Sequence, residues 1–120
     1  MDRTILVVDD EAIIRNNLAD FFHDEGWEVF EAENADAAIA LLDKRTSIRV
    51  VLTDVHMPGS MDGVRLAHYV RERFPPTILI VASGAAKLTA ADLPERTMFI
   101  AKPFDLHYVL QEIERLGSTV

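Results

Sequence analysis

The chain has 120 residues, enough for one domain with a single proper core, and its 49% apolar and 27% charged residues are those of an ordinary globular protein. The absence of cysteine excludes disulfides and thiolate metal sites. A net charge of −8, from 12 basic and 20 acidic residues, disfavours nucleic acid and anionic lipid as direct ligands and points to protein partners. No stretch approaches the roughly 20 apolar residues of a membrane span. Nothing near the N-terminus reads as a signal peptide, since Asp2, Arg3, Asp9 and Asp10 flank an apolar run of only four residues. A cytoplasmic location without membrane attachment is the expectation.

Five strand candidates alternate with five helical stretches. The first strand is 4–8, and a helix over about 11–25 follows, with Ile14, Leu18, Phe21 and Phe22 on one face and Gly26 as its stop. The second strand, about 27–32, alternates as Glu28-Val29-Phe30-Glu31 and reads as half exposed. A helix over about 34–45 has Ala38, Leu41 and Leu42 as its inner stripe and Asn34 as its cap. The third strand is 49–53. After the loop Met57-Pro58-Gly59-Ser60-Met61, Asp62 caps a helix over about 63–73, whose apolar face is Leu66, Ala67, Val70 and Phe74. Pro75-Pro76 punctuates the chain. The fourth strand, 78–82, is the most apolar and should be central. The fourth helical stretch, Ala85 to Leu93, is poorly patterned, with only Leu88 and Leu93 as large apolar residues. A fifth strand, 98–101, precedes a helix over about 105–116 that buries Leu106, Val109, Leu110, Ile113 and Leu116.

Strict βα alternation implies a doubly wound parallel α/β sheet with helices on both faces. The half-exposed second strand suits an edge, which the flavodoxin-like order 2-1-3-4-5 provides. That order makes the first and third strands neighbours, so the acids at their ends converge.

Those strand ends carry the chemistry. Asp9-Asp10-Glu11 follows Ile5-Leu6-Val7-Val8, and Asp54 follows Val50-Val51-Leu52-Thr53. Buried parallel strands deliver both sets of carboxylates to one rim. There they repel one another and raise each other's pKa unless a cation joins them. Hard oxygen ligands in that place suit Mg²⁺, with a phosphate completing its shell. A plainer role exists for Asp9 or Asp10, capping the first helix, but one carboxylate suffices for that. Ser83-Gly84 ends the fourth strand, and Lys102-Pro103 ends the fifth, the proline restraining the lysine before it. Four strands thus place polar groups on one edge.

Val7-Val8-Asp9-Asp10-Glu11, Thr53-Asp54-Val55-His56-Met57-Pro58, Met61-Asp62-Gly63, Ser83-Gly84 and Lys102-Pro103-Phe104 stand in the order and spacing of a known family. Over essentially its whole length the chain resembles the receiver domain of bacterial two-component response regulators, with a CheY-like fold. The resemblance implies that Asp54 is the phosphoacceptor and that Mg²⁺ (or Mn²⁺ in its place) is bound by Asp10, Asp54 and the backbone carbonyl of His56, with Asp9 acting through water. It implies that Ser83 hydrogen-bonds the phosphoryl group, that Lys102 pairs with it, and that Ser83 and Phe99 form the switch. It further implies a cis Lys102–Pro103 peptide. A phenylalanine at 99 has no hydroxyl, so that switch would work by packing alone.

The implied partners are a sensor histidine kinase or histidine phosphotransfer protein, and a downstream protein or output domain. A homodimer through the face of the fourth helix, fifth strand and fifth helix is a further expectation. Residues 1–120 read as one receiver domain without an output domain, either a stand-alone regulator or an excised module. The chain is expected to be no enzyme, catalysing only its own phosphorylation and dephosphorylation.

Two departures from the family pattern stand out. Between Pro58 and Met61 the loop has one residue more than usual, and the 19 positions from Ser83 to Lys102 are few, which implies a short or irregular fourth helix. His56, two residues after Asp54, reads more readily as solvent-facing than as a participant. His23, His68 and His107 sit on separate helices and read as surface residues.

Three rivals are weighed against this reading. A dehalogenase-type phosphatase needs two aspartates separated by one residue, whereas Asp9 and Asp10 are adjacent. A flavin binder needs a Ser/Thr/Gly-rich phosphate loop where three acids stand. A pseudo-receiver that binds partners without phosphorylation remains the alternative.

Overall fold

The protein is described by a computed structural model over residues 3–45, 47–57, 59, 61–84 and 92–118. In chain order the described residues form β1 (Thr4–Val8), α1 (Ala12–Asp24), β2 (Glu28–Ala32), α2 (Ala35–Lys44), β3 (Val50–Asp54), α3 (Gly63–Arg73), β4 (Ile78–Ser83), β5 (Thr97–Ala101) and α4 (Leu106–Ser118). The strands form one parallel sheet in the order β2-β1-β3-β4-β5. The expected topology is therefore the observed one. The fourth helical stretch expected over Ala85–Leu93 lies almost wholly outside the described residues, as do Pro58 and Ser60 of the long loop, so α4 is the last helix of the sequence reading.

Side-chain alternation splits the core into two layers. Leu6, Val8, Val51, Leu79 and Val81 face one way and pack with Ala38 and Leu42 of α2 and Leu66, Ala67 and Val70 of α3. Ile5, Val7, Val50, Leu52, Ile80 and Ala82 face the other way, onto Leu18 and Phe22 of α1 and Val109, Leu110 and Ile113 of α4. Because β1, β3 and β4 are covered on both faces, nearly every residue in them is buried. Each fully buried leucine or isoleucine contributes roughly 2 kcal/mol, so the three central strands carry much of the burial energy of the core. β2 and β5 lie at the edges and are partly exposed.

The helix ends are built from the residues that signalled them. The Asn34 side chain accepts from Ala37 N–H at 2.8 Å, and that of Asp62 accepts from Arg65 N–H at 2.9 Å. Gly26, with φ +88°, closes α1: its N–H donates to His23 O at 3.1 Å, and Trp27 N–H donates to Phe22 O at 2.9 Å. That paired return requires the left-handed conformation glycine adopts freely.

Outside the sheet, the loop before β5 is tied to α3 by two side chains. His68 Nε2 lies 2.9 Å from Asp92 O. The Arg71 guanidinium donates to the carbonyls of Pro75, Thr77, Glu95 and Arg96, at 2.8 Å for Thr77 and 3.0 Å for the last two. Both cross-links join α3 to the residues that lead into β5.

Candidate functional site

The carboxyl ends of β1, β3, β4 and β5 bring the expected groups together. One oxygen each from Asp9, Asp10 and Asp54 can be chosen so that all three lie within 4.8 Å of one another. Lys102 reaches across from the end of β5, its Nζ 3.3 Å from Asp54 Oδ1 and 3.7 Å from Asp9 Oδ2. The Lys102–Pro103 peptide is cis. Ser83 is buried at the end of β4, opposite Ala101 in register, and its carbonyl accepts from Lys102 N–H at 2.9 Å.

The three acids differ in surroundings. Asp9 is 2% exposed and Asp54 8%, whereas Asp10 is exposed. Asp9, expected at the periphery of the metal shell, is the most enclosed of the three. Its N–H donates to Ala32 O at 3.1 Å, and its Oδ1 accepts from Glu11 N–H at 2.9 Å. Asp9 thus holds the turn that leads into α1 rather than capping it: the cap position is Glu11, which makes no side-chain cap bond. His56 is exposed and lines, with Asp10, Met57 and Asp62, an open depression at the mouth of the site. Phe99 is half-buried on β5, opposite Val81, while its neighbours Met98 and Ile100 pack into the other layer.

Burial raises the Asp9 carboxyl above its ordinary value of 3.8; the Glu11 N–H and Lys102 act against this, and Asp54 and Asp10 add to it. A carboxyl whose folded pKa is raised contributes stability below its unfolded pKa, and that contribution is lost as pH rises through the folded value. At neutral pH the ionised Asp9 is thus a liability to the fold. Without divalent cations, Asp9→Asn is expected to melt above the wild type at pH 7, the gap closing as pH falls toward 3.8. Thermal melts across that range check this, and an equal or lower midpoint at pH 7 contradicts it.

Three carboxylates facing one ammonium leave a formal excess of two negative charges in a partly enclosed mouth. Such an all-oxygen, negatively charged set fits a hard divalent cation, and Asp9, Asp10 and Asp54 are the side chains placed to hold it.

Two contributors escaped the sequence reading. Gly63, the first residue of α3, lies against the backbone of residues 54 and 55, and its N–H donates to Val55 O at 2.9 Å. It stood within a recognised motif without an assigned role. Arg15 on α1 donates from Nη1 to Asp9 O at 2.9 Å and from Nε to Glu31 Oε1 at 3.3 Å. A single arginine on a helix gives no signal that separates it from solvated surface.

A family profile for the response regulator receiver domain matches residues 5–114. The chain is 35% identical over 122 residues to the transcriptional regulatory protein ResD of Bacillus subtilis, covering 97% of this chain and 50% of ResD. It is 33% identical over 124 residues to a chemotaxis protein CheY homolog of Campylobacter jejuni, covering 96% of this chain and 92% of that protein. The crystal structure of the response regulator protein TrrA from Thermotoga maritima, in complex with Mg²⁺-BeF, matches with a TM-score of 0.81 at 26% identity, covering 97% of this chain and 99% of TrrA. The chain spans between 22% and 50% of the length of the first curated relatives it matches. Sheet order, rim chemistry and sequence likeness converge, and the chain belongs to the response regulator receiver domains of two-component systems.

Proposed function

We propose that the chain accepts a phosphoryl group on Asp54 from a phosphohistidine of a sensor kinase or histidine phosphotransfer protein, in a Mg²⁺-dependent reaction. The observation that carries this reading is the setting of Asp54: a nearly buried carboxylate with Lys102 Nζ at 3.3 Å and two further acids beside it. Support also comes from TrrA, which is similar to this chain and holds Mg²⁺ with beryllofluoride, a mimic of a phosphoryl group.

An Asp54 oxygen attacks phosphorus, the phosphorus–nitrogen bond of the donor breaks, and the imidazole leaves. The product is an acyl phosphate on Asp54. Lys102 faces the place where negative charge gathers on the transferring group and offsets it, having already been drawn there by Asp54 and Asp9. Ser83, buried at the next strand end, supplies a hydroxyl to the phosphoryl group. Held by Asp10, Asp54 and the His56 carbonyl, with Asp9 acting through water, a divalent cation would cancel the repulsion between an anionic nucleophile and an anionic donor.

Signalling follows from a change in conformational population. Ser83 moving toward the phosphoryl group gives Phe99 room to rotate, which alters the face around β5 that a downstream protein, an output domain or a second copy reads. The chain in this reading turns over no diffusible substrate.

Intact-mass measurement after incubation with acetyl phosphate tests the proposal. One phosphoryl adduct is expected with Mg²⁺ and none with a chelator present. No adduct under either condition would overturn it in favour of a pseudo-receiver that binds partners unphosphorylated.

A further inference from the structure

Asp10, the exposed acid of the three, has to be aimed by its backbone, and that backbone is held from one side by Arg15. The oxygen that Arg15 Nη1 grips at 2.9 Å belongs to the peptide joining Asp9 to Asp10. A peptide unit is planar, so with Asp9 held in place, fixing this oxygen sets the plane in which the Asp10 Cα lies. Asp9 is secured independently, through Ala32 O, Glu11 N–H and Lys102. The Arg15 side chain is only 17% exposed, and Glu31 Oε1 on the edge strand β2 holds its Nε at 3.3 Å. A half-exposed pair of that length adds little to stability by itself. Its effect is directional, since a guanidinium anchored at two points presents its donors at a set angle.

We propose that Arg15 is a positioning residue for the divalent-cation site, directing the Asp10 carboxylate through the Asp9–Asp10 peptide, with Glu31 bracing the guanidinium. This rests on the reading of the acidic mouth as a Mg²⁺ site. The sign of the effect separates positioning from charge. Taking a positive charge away from near the site should tighten Mg²⁺ binding on Coulombic grounds alone, whereas loss of a positioning contact should weaken it.

Titration calorimetry of Mg²⁺ into the unphosphorylated chain reads this directly. Arg15→Met is expected to weaken binding about 10-fold, the usual cost of removing a group that orients a metal ligand. Arg15→Lys keeps the charge and one donor but loses the two-point anchor, and is expected to weaken binding about 3-fold, the worth of roughly one hydrogen bond. Binding by Arg15→Met as tight as in the wild type, or tighter, overturns the inference. Should Arg15→Met fail to fold, wild-type affinity in Arg15→Lys overturns it instead. A wild type that binds no Mg²⁺ refutes the metal-site reading itself, an outcome distinct from both.

Discussion

Asp54→Asn is expected to abolish Mg²⁺-dependent labelling by acetyl phosphate, with the intact mass unchanged after an incubation that labels the wild type. The amide has neither the charge nor the second oxygen of a carboxylate, so the anionic nucleophile is lost while the shape is kept. Loss of a single stabilising donor typically slows an enzymatic step by about 10²–10³, and loss of the nucleophile costs more. The fold is expected to survive. The substitution gives up the Lys102 contact at 3.3 Å but also removes an anion whose charge works against ionisation of Asp9. Wild-type labelling of a folded Asp54→Asn chain would mean that another group is the acceptor and would remove the assignment.

Gly63→Ala is expected to cost about 3 kcal/mol, at the upper end for overpacking, which lowers the melting temperature by about 10 °C in a chain of this size. A Cβ at position 63 would stand 2.8 Å from the Asp54 carbonyl carbon and 2.9 Å from Val55 Cα, with the Asp54 carbonyl oxygen nearer still. All three atoms are backbone, so no side chain can swing aside; α3 must lift away from the end of β3. The strand end that moves is the one carrying Asp54, so labelling by acetyl phosphate should slow along with the loss of stability. Gly84→Ala serves as the control, since its nearest contact would be Lys102 Cβ at 3.9 Å, an ordinary distance. Equal melting temperatures for Gly63→Ala and the wild type would show that α3 is free to shift and that the close approach has no mechanical consequence.

What the sequence made legible follows from how local each signal is. β1, β3 and β4 are uninterrupted apolar runs, and their bounds fall within a residue of expectation. Asn34, Asp62 and Gly26 act within a few positions of themselves, so the ends of α1, α2 and α3 could be read from residue type. The convergence of Asp9, Asp10, Asp54 and Lys102 needed one further step, the sheet order, which the half-exposed second strand supplied. The ranking among the acids was not legible. Burial of Asp9 rather than Asp10 depends on which way the chain turns after Val8, and both are aspartates at a strand end. Gly63 and Arg15 were missed because each acts on a partner by position in space: one through the absence of a side chain, the other through a main-chain oxygen that carries no mark in the sequence.

Arg71 illustrates a different economy of design. It reads two loops purely through their main-chain oxygens, at residues 75, 77, 95 and 96. A latch on main-chain oxygens depends first on the path of the chain, although Thr77 is buried and the charges of Glu95 and Arg96 act on the guanidinium. Lysine could not replace the latch itself, because an ammonium lacks the flat, five-donor fork that spans several acceptors at once. The course of the stretch leading into the edge strand is therefore set from α3, by one side chain that spans both of its neighbouring turns.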